Sequence, residues 1–202
     1  MYDELLRPLK DRLIFPLARL LSPLGPTGLT IGGLGLGLVG VYGAFQGFYG
    51  LALGFWLGNR LADGLDGAVA RLTGKNSDLG GYLDILADFL VYSLLPLGVF
   101  WSLQGDSSSW LALGALLASF YLNAASWMYL SALLAKDEAL TSLPMPKGLV
   151  EGFESIIFLS LMLIFPSVAT ILAWTMTGLV MLTIVLRFIW ARTILDSPKK
   201  AK

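Results

Sequence analysis

The sequence contains no cysteine and no histidine among its 202 residues. Their absence excludes a disulfide framework, a Cys/His zinc site, a cysteine nucleophile and a Ser-His-Asp triad. Acid–base chemistry therefore has to come from carboxylates, lysine, tyrosine or a metal-bound water. Any metal ion needs oxygen ligands, which are the ligands that magnesium, manganese and calcium prefer.

Charged residues are scarce, at 14% of the chain, whereas a soluble domain usually has about a quarter. Hydrophobic residues make up 56%, and the mean hydropathy is +0.74. The surface of a globule of this size cannot hide so many apolar side chains, so the bilayer is the expected solvent. Fourteen basic and fourteen acidic residues cancel, so the net charge says nothing about partners. For a chain of this hydropathy we expect membrane lipids as partners and no nucleic acid.

Six apolar segments predict an all-α integral membrane protein with six transmembrane helices. Residues 2–21 alternate charged and apolar side chains, which favours an amphipathic interfacial helix before the first span; a cytosolic leader without lipid contact is the alternative. The predicted spans are 29–47, 50–71, 80–103, 109–134, 149–165 and 167–192. The predicted division is an interfacial segment at 1–25, a six-helix domain at 26–195 and a basic cytosolic tail at 196–202.

Lysine and arginine indicate the orientation, because they accumulate on the cytoplasmic side of membrane proteins. Six spans place both termini and the loops at 72–79 and 135–148 on one side. The loops on the other side contain no lysine or arginine, so both termini are predicted to be cytosolic, in a prokaryotic inner membrane. The basic residues on the cytosolic side are Arg7, Lys10, Arg12, Arg19, Lys75, Lys136, Lys147, Lys199, Lys200 and Lys202.

Four aspartates lie in the second and third predicted spans, where charge is expensive unless it is paired or binds a cation. Asp63 and Asp66 are i,i+3 neighbours, and Asp84 and Asp88 are i,i+4 neighbours. The short loop at 72–79 lets the two spans return as an antiparallel pair, so the two pairs of carboxylates can face each other. Two divalent cations would balance the four charges, and such a pair of ions is a common device for displacement at phosphorus.

Other interpretations of the aspartates are open to test. They could merely pair with Arg60 and Arg71, but two arginines leave two aspartates uncompensated. They could form the ion site of a divalent-cation transporter or channel, where a nearby arginine is unhelpful. A membrane prenyltransferase also uses aspartate-rich helices, but it needs a second aspartate motif, and the later spans contain no aspartate.

The pattern D-x2-D-G-x2-A-R-x8-G-x3-D-x3-D, which runs from residue 63 to residue 88, resembles the full signature of the CDP-alcohol phosphotransferase family. Every fixed position and both long spacings match, and eight specified residues make the pattern specific. The six-span layout is similar over nearly the whole chain. The matching residues are Asp63, Asp66, Gly67, Ala70, Arg71, Gly80, Asp84 and Asp88.

The resemblance implies metal-dependent transfer of a phosphatidyl group from a CDP-linked donor, such as CDP-diacylglycerol, to an alcohol, with release of CMP. It implies that Asp63, Asp66 and Asp84 bind Mg²⁺ or Mn²⁺, with two ions as the expected number, and that a homodimer forms. Asp88 is implied as a further metal ligand and as the general base on the acceptor hydroxyl. The residues implied at the CDP site are Asp63, Asp66, Gly67, Ala70, Arg71 and Gly80.

The acceptor is not defined by the sequence. Lys147, Arg187 and Arg192 could bind a phosphorylated acceptor, although basic residues at span ends also serve as membrane anchors. Glu151 could bind an amine-bearing acceptor or order Lys147. Family members often have Asn in a Pro-Asn-x-x-Thr segment where this chain has Thr27, and we expect Thr27 to cap the first span instead.

Overall fold

A computed structural model describes residues 15–135, 148–150 and 152–195. Every regular element in these residues is helical, which confirms the all-α prediction. Residues 15–21 are helical and lead through a short 3₁₀ turn, Ser22–Leu24, into the first long helix, and a second 3₁₀ turn covers Pro166–Val168. The main helices are α1 (Gly25–Phe45), α2 (Tyr49–Thr73), α3 (Asp78–Leu103), α4 (Ser107–Leu134), α5 (Gly152–Ile164) and α6 (Ala169–Leu195).

Four helical stretches of the described residues are long and apolar enough to cross a bilayer: Phe15–Phe45, Asp78–Leu103, Ser107–Leu134 and Pro166–Leu195. Helix α2 is not among them, although its 25 residues extend about 37 Å. Helix α5 has only 13 residues, or about 20 Å. The six predicted apolar segments thus correspond to six helices, of which four have the length and composition of spans.

Helix α1 packs on both α2 and α3, and α4 packs mainly on α6. Glycines on α1 allow the close approach of its neighbours, since small residues bring helix backbones together in lipid. A Cβ added at Gly37 would lie 2.6 Å from Val91 Cγ2 of α3 and 3.1 Å from Asn59 Nδ2 of α2. A Cβ at Gly40 would lie 3.2 Å from the backbone oxygen of Ala52. These contacts fix α1 against the two helices that carry the aspartates.

A four-residue turn joins α2 to α3 and makes them antiparallel. Gly74 ends α2 in the left-handed conformation, with φ of +64°, and its N–H donates to the oxygen of Ala70. Ser77 is the N-cap of α3, since its hydroxyl accepts a hydrogen bond of 3.1 Å from the N–H of Gly80. The turn therefore places the carboxyl-terminal half of α2 beside the amino-terminal half of α3.

Several predictions fall wholly or partly on residues that the structure does not describe. These are most of the interfacial segment at 1–25, the 135–148 loop and the tail at 196–202. The expectation that Thr27 caps the first span is wrong, because α1 begins at Gly25 with Leu24 in the cap position and no side-chain cap. Proline at the start of α1 explains how the helix begins without such a cap, since its ring presets the helical φ.

Candidate active site

Three aspartates from α2 and α3 converge on one point. A carboxylate oxygen from each of Asp63, Asp84 and Asp88 lies within 4.8 Å of the other two. All three side chains are partly buried. Three carboxylates this close repel one another unless a positive charge offsets them. Their oxygen donors suit a hard divalent cation such as Mg²⁺ or Mn²⁺, so the residues present fit the metal that the sequence predicts.

Asp66, the fourth aspartate, faces α1 and lies outside this group of three. Its Oδ2 accepts a hydrogen bond of 2.6 Å from Thr30 Oγ1, and only 6% of the residue is exposed. Thr30 Oγ1 also lies 3.1 Å from the oxygen of Pro26. The four aspartates are therefore arranged as three that converge and one that is held by α1.

A buried arginine, Arg60, lies beside the aspartate group. Its Nη2 donates a 2.6 Å hydrogen bond to Asp88 Oδ1, and its Nη1 lies 3.7 Å from Asp63 Oδ2. A second acceptor is Asn59 Oδ1, at 2.9 Å from Nε and 2.6 Å from Nη2. Arg60 therefore supplies positive charge directly to two of the three converging carboxylates.

The predicted CDP-site residues occupy the last turns of α2 and the first turn of α3. The guanidinium of Arg71 lies close to Gly67, since a Cβ added at Gly67 would lie 3.4 Å from Arg71 Nη1. Ala70 is partly buried and Arg71 is exposed. The N–H of Gly80 donates to the hydroxyl of Ser77, and a Cβ at Gly80 would lie only 3.0 Å from that hydroxyl. Gly80 therefore leaves room for the cap of α3. Small residues here leave room beside the guanidinium of Arg71.

The acceptor candidates are divided between described and undescribed residues. Lys147 and Glu151 lie outside the described part of the chain. Arg187 of α6 is buried at the interface with α4, where its Nη1 donates hydrogen bonds of 2.8 Å to Asn123 Oδ1 and 3.3 Å to the backbone oxygen of Asn123. Arg192 is exposed one turn further along α6. These two hydrogen bonds therefore join two helices that carry none of the four aspartates.

Sequence reasoning missed the parts played by Thr30 and Tyr92. Thr30 is the last residue of the segment that corresponds to Pro-Asn-x-x-Thr, and its place in that segment could have indicated a residue of the site. Tyr92 lies one helical turn beyond Asp88 on α3, and its hydroxyl is 3.4 Å from Arg60 Nη1. No sequence pattern predicts the contact of Tyr92 with Arg60, because it depends on how α2 and α3 are rotated against each other.

Known proteins resemble this chain in both sequence and fold. The inner membrane protein YnjF of Escherichia coli (strain K12) is 36% identical over 175 residues, which cover 83% of this chain and 84% of that protein. A crystal structure of Mycobacterium tuberculosis phosphatidylinositol phosphate synthase (PgsA1) with CDP-DAG bound has a TM-score of 0.74 at 22% identity, over 90% of this chain and 94% of that chain. A second structure of that synthase, with manganese and citrate, has a TM-score of 0.73 at 23% identity, over 89% of each chain.

The two solved structures show the shared fold alone at these identities, whereas the family assignment comes from the sequence. The model of the CDP-alcohol phosphatidyltransferase family matches residues 24–185, which include both aspartate-bearing helices. Nothing in these comparisons supports the channel or the prenyltransferase alternative. The chain is therefore an integral membrane transferase of phosphate-containing groups in phospholipid biosynthesis, and it belongs to the CDP-alcohol phosphatidyltransferase family.

Proposed function

We propose that this protein transfers the phosphatidyl group of CDP-diacylglycerol to an alcohol acceptor and releases CMP, in a reaction that depends on a divalent cation. The observation that carries the proposal is the convergence of Asp63, Asp84 and Asp88 within 4.8 Å. Support for the donor comes from the family and from the structural neighbour that has CDP-DAG bound.

The three converging aspartates are the proposed core of the metal site, with Asp66 as a further ligand. Mg²⁺ and Mn²⁺ are both suitable, and two ions would match the four carboxylates in charge. A divalent cation bound here would neutralise charge on the pyrophosphate and on the phosphoryl group in transfer. Thr30 holds Asp66 by a 2.6 Å hydrogen bond, so a shift of Asp66 toward the other three carboxylates would have to break or rotate that bond.

The proposed reaction is an in-line displacement at the phosphorus atom that carries the diacylglycerol. A bond forms between the acceptor oxygen and this phosphorus, and the bond from phosphorus to the bridging oxygen of the pyrophosphate breaks, so that CMP leaves with the electron pair. The acceptor proton passes to Asp88, in the role of general base. Arg60 already binds Asp88 Oδ1, so we assign proton transfer to Oδ2 of Asp88.

The CDP moiety of the donor is proposed to lie along the end of α2. Gly67 and Ala70 would let the nucleotide approach the helix backbone, and Arg71 would bind a phosphate through its planar guanidinium. Gly80 would allow passage at the start of α3. Since a Cβ at Gly67 would lie 3.4 Å from Arg71 Nη1, a side chain at position 67 would contact the guanidinium.

Arg187 and Arg192 on α6, with Lys147 and Glu151 before α5, are the proposed acceptor-binding residues. A phosphorylated acceptor would use the basic residues, and an amine-bearing acceptor would use Glu151. The synthase with the similar fold shares too little sequence to transfer its acceptor to this chain.

We also propose six membrane crossings in a bacterial inner membrane, with the active site on the cytosolic side, and a homodimer. Helix α2 is long enough to cross, whereas the 13 residues of α5 would need flanking residues to complete a span. Since the chain lacks cysteine, single-cysteine variants give a clean topology test. Lys75→Cys should react with a membrane-impermeant maleimide only in inverted vesicles, and Ser107→Cys only in right-side-out vesicles.

The deciding experiment measures CMP release and lipid product from CDP-diacylglycerol with a panel of alcohols. Purified protein in liposomes should be active with Mg²⁺ or Mn²⁺ and inactive in chelator. Asp63→Asn should abolish both products, whereas Asp106→Asn, an exposed aspartate that caps α4, should not. Equal turnover in chelator would show that the aspartates do not act through a metal.

A further inference from the structure

Arg60 has a buried guanidinium beside two aromatic rings. Only 9% of Arg60 is exposed, and its Cζ lies 4.8 Å from the ring centres of both Trp56 and Tyr92. The two rings meet edge to face, 5.2 Å apart and at 88°. Both rings therefore lie on the same side of the guanidinium, and each can add cation–π stabilisation, which increases away from water.

Hydrogen bonds fix the guanidinium within its plane. Arg60 donates to Asn59 Oδ1 from two nitrogens and to Asp88 Oδ1 from Nη2. Asn59 is fixed in turn, because its Nδ2 donates a 2.8 Å hydrogen bond to the oxygen of Gly33 on α1. The series of contacts from Gly33 through Asn59 and Arg60 to Asp88 thus joins α1, α2 and α3.

The partners of Arg60 distinguish a role at the site from simple stabilisation of the fold. An arginine that only joined two helices could do so without contacting the carboxylates that converge. Instead it contacts Asp88 at 2.6 Å and Asp63 at 3.7 Å, which are two of the three carboxylates that converge. Its charge therefore acts on the same oxygens that would hold a cation.

We propose that Arg60 is a positioning residue for the transfer reaction: it fixes the orientation of Asp88 and offsets one negative charge of the aspartate group. The first effect favours proton transfer to Asp88. The second lowers the affinity of the group for a divalent cation, because a fixed positive charge repels the ion. The kinetic part rests on the proposed function, whereas the part on cation binding does not.

These two effects give Arg60 a signature that a purely structural residue lacks. Loss of the guanidinium charge should strengthen Mn²⁺ binding while it slows catalysis. Loss of a purely structural contact should weaken both, because the three carboxylates would no longer be held together. The lysine variant separates the effects further, since lysine keeps the charge but lacks the planar fork that binds Asp88 and Asn59 together.

The test compares Arg60→Gln, Arg60→Lys and the control Arg19→Gln, which removes an exposed arginine outside the aspartate group. Mn²⁺ binding is measured by electron paramagnetic resonance of the free ion in detergent, without substrate, and kcat and KM are measured with CDP-diacylglycerol in liposomes. For Arg60→Gln we expect about threefold or more tighter Mn²⁺ binding and a kcat about 10- to 100-fold lower, with little change in KM. For Arg60→Lys we expect Mn²⁺ binding near that of the unaltered protein and a reduced kcat.

Weaker Mn²⁺ binding together with lower kcat in Arg60→Gln would overturn the proposal in favour of a structural role, and so would an unchanged kcat. A normal kcat in Arg60→Lys would refute the orientation of Asp88 by the fork. If Arg60→Gln does not fold, the kcat and Mn²⁺ affinity of Arg60→Lys decide. If the unaltered protein binds Mn²⁺ but releases no CMP, the proposed function fails, and the Mn²⁺ affinities still test Arg60.

Discussion

The two halves of the protein use their polar side chains differently. In α1–α3, a set of hydrogen bonds around the aspartates runs from one helix to another: Thr30 to Asp66, Asn59 to Gly33, and Arg60 to Asp88. Thr73 and Ser93 of these helices donate within their own helix. In α4 and α6, most of the described hydroxyl groups donate to a carbonyl of their own helix, as Ser119, Ser131, Thr175 and Thr177 do, whereas Arg187 and Thr170 of α6 donate to α4. A hydroxyl bonded to its own helix adds no link to a neighbour.

This contrast helps to distinguish the polar residues of a functional site from polar residues that only pack within an apolar protein. Both halves contain polar residues in helices that are otherwise apolar, so composition alone does not separate them. Interhelical hydrogen bonds add stability in lipid and set the rotation of each helix. Where such bonds also connect charged groups, as around Arg60, they define the geometry of a reactive site.

The largest effect should come from a change to one of the converging carboxylates. Asp84→Asn removes a negative charge and a strong oxygen donor, so we expect at least about a hundredfold weaker Mn²⁺ binding and loss of turnover. The matched control is Asp78→Asn, six residues earlier on α3 and exposed. Calorimetric titration with Mn²⁺ measures both, and equal affinities in the two variants would contradict a metal site at Asp84.

A smaller effect is expected at the link between α1 and Asp66. Thr30→Val removes the hydroxyl that donates to Asp66 Oδ2 at 2.6 Å but keeps the shape of the side chain. We expect turnover to fall about tenfold, the usual scale for a residue that orients a ligand. Thr30→Ser keeps the hydroxyl and should remain near the activity of the unaltered protein; if it loses as much as Thr30→Val, the hydrogen bond is not the cause.

The packing of α1 predicts an effect on stability. Gly37→Ala places a Cβ 2.6 Å from Val91 Cγ2 and 3.1 Å from Asn59 Nδ2, so these side chains have to move. We expect a loss of about 2 kcal/mol, measured as a lower unfolding temperature in detergent. Gly35→Ala is the control, since a Cβ there meets nothing within 4 Å and alanine favours a helix. Equal unfolding temperatures would show that α1 can shift without loss.

Sequence patterns were sufficient for the helices and for the convergence of Asp84 and Asp88, but not for the division of the aspartates. Residues four apart are separated by about 40° around a helix and residues three apart by about 60°. Asp84 and Asp88 therefore face the same neighbour, whereas Asp63 faces α3 and Asp66 faces α1. Which of two neighbours each residue meets depends on the rotation of α2. That rotation follows from contacts such as Gly33 to Asn59, which are distant in the sequence.

The smallest expected effect compares two threonines of α6. Thr183 is buried, and its oxygen accepts hydrogen bonds of 3.0 Å and 3.2 Å from the N–H groups of Leu149 and Val150. Thr183→Val leaves these two donors, of which Val150 is buried, without their acceptor, so we expect a loss of about 1 kcal/mol. Thr177 donates only to Ala173 of its own helix among the contacts described, and that carbonyl can keep its helical hydrogen bond. Thr177→Val should therefore change stability by less than about 0.5 kcal/mol. Unfolding of both variants in the same detergent measures the two losses of stability. Equal losses would mean that a hydroxyl bonded to another segment stabilises this protein no more than a hydroxyl bonded to its own helix.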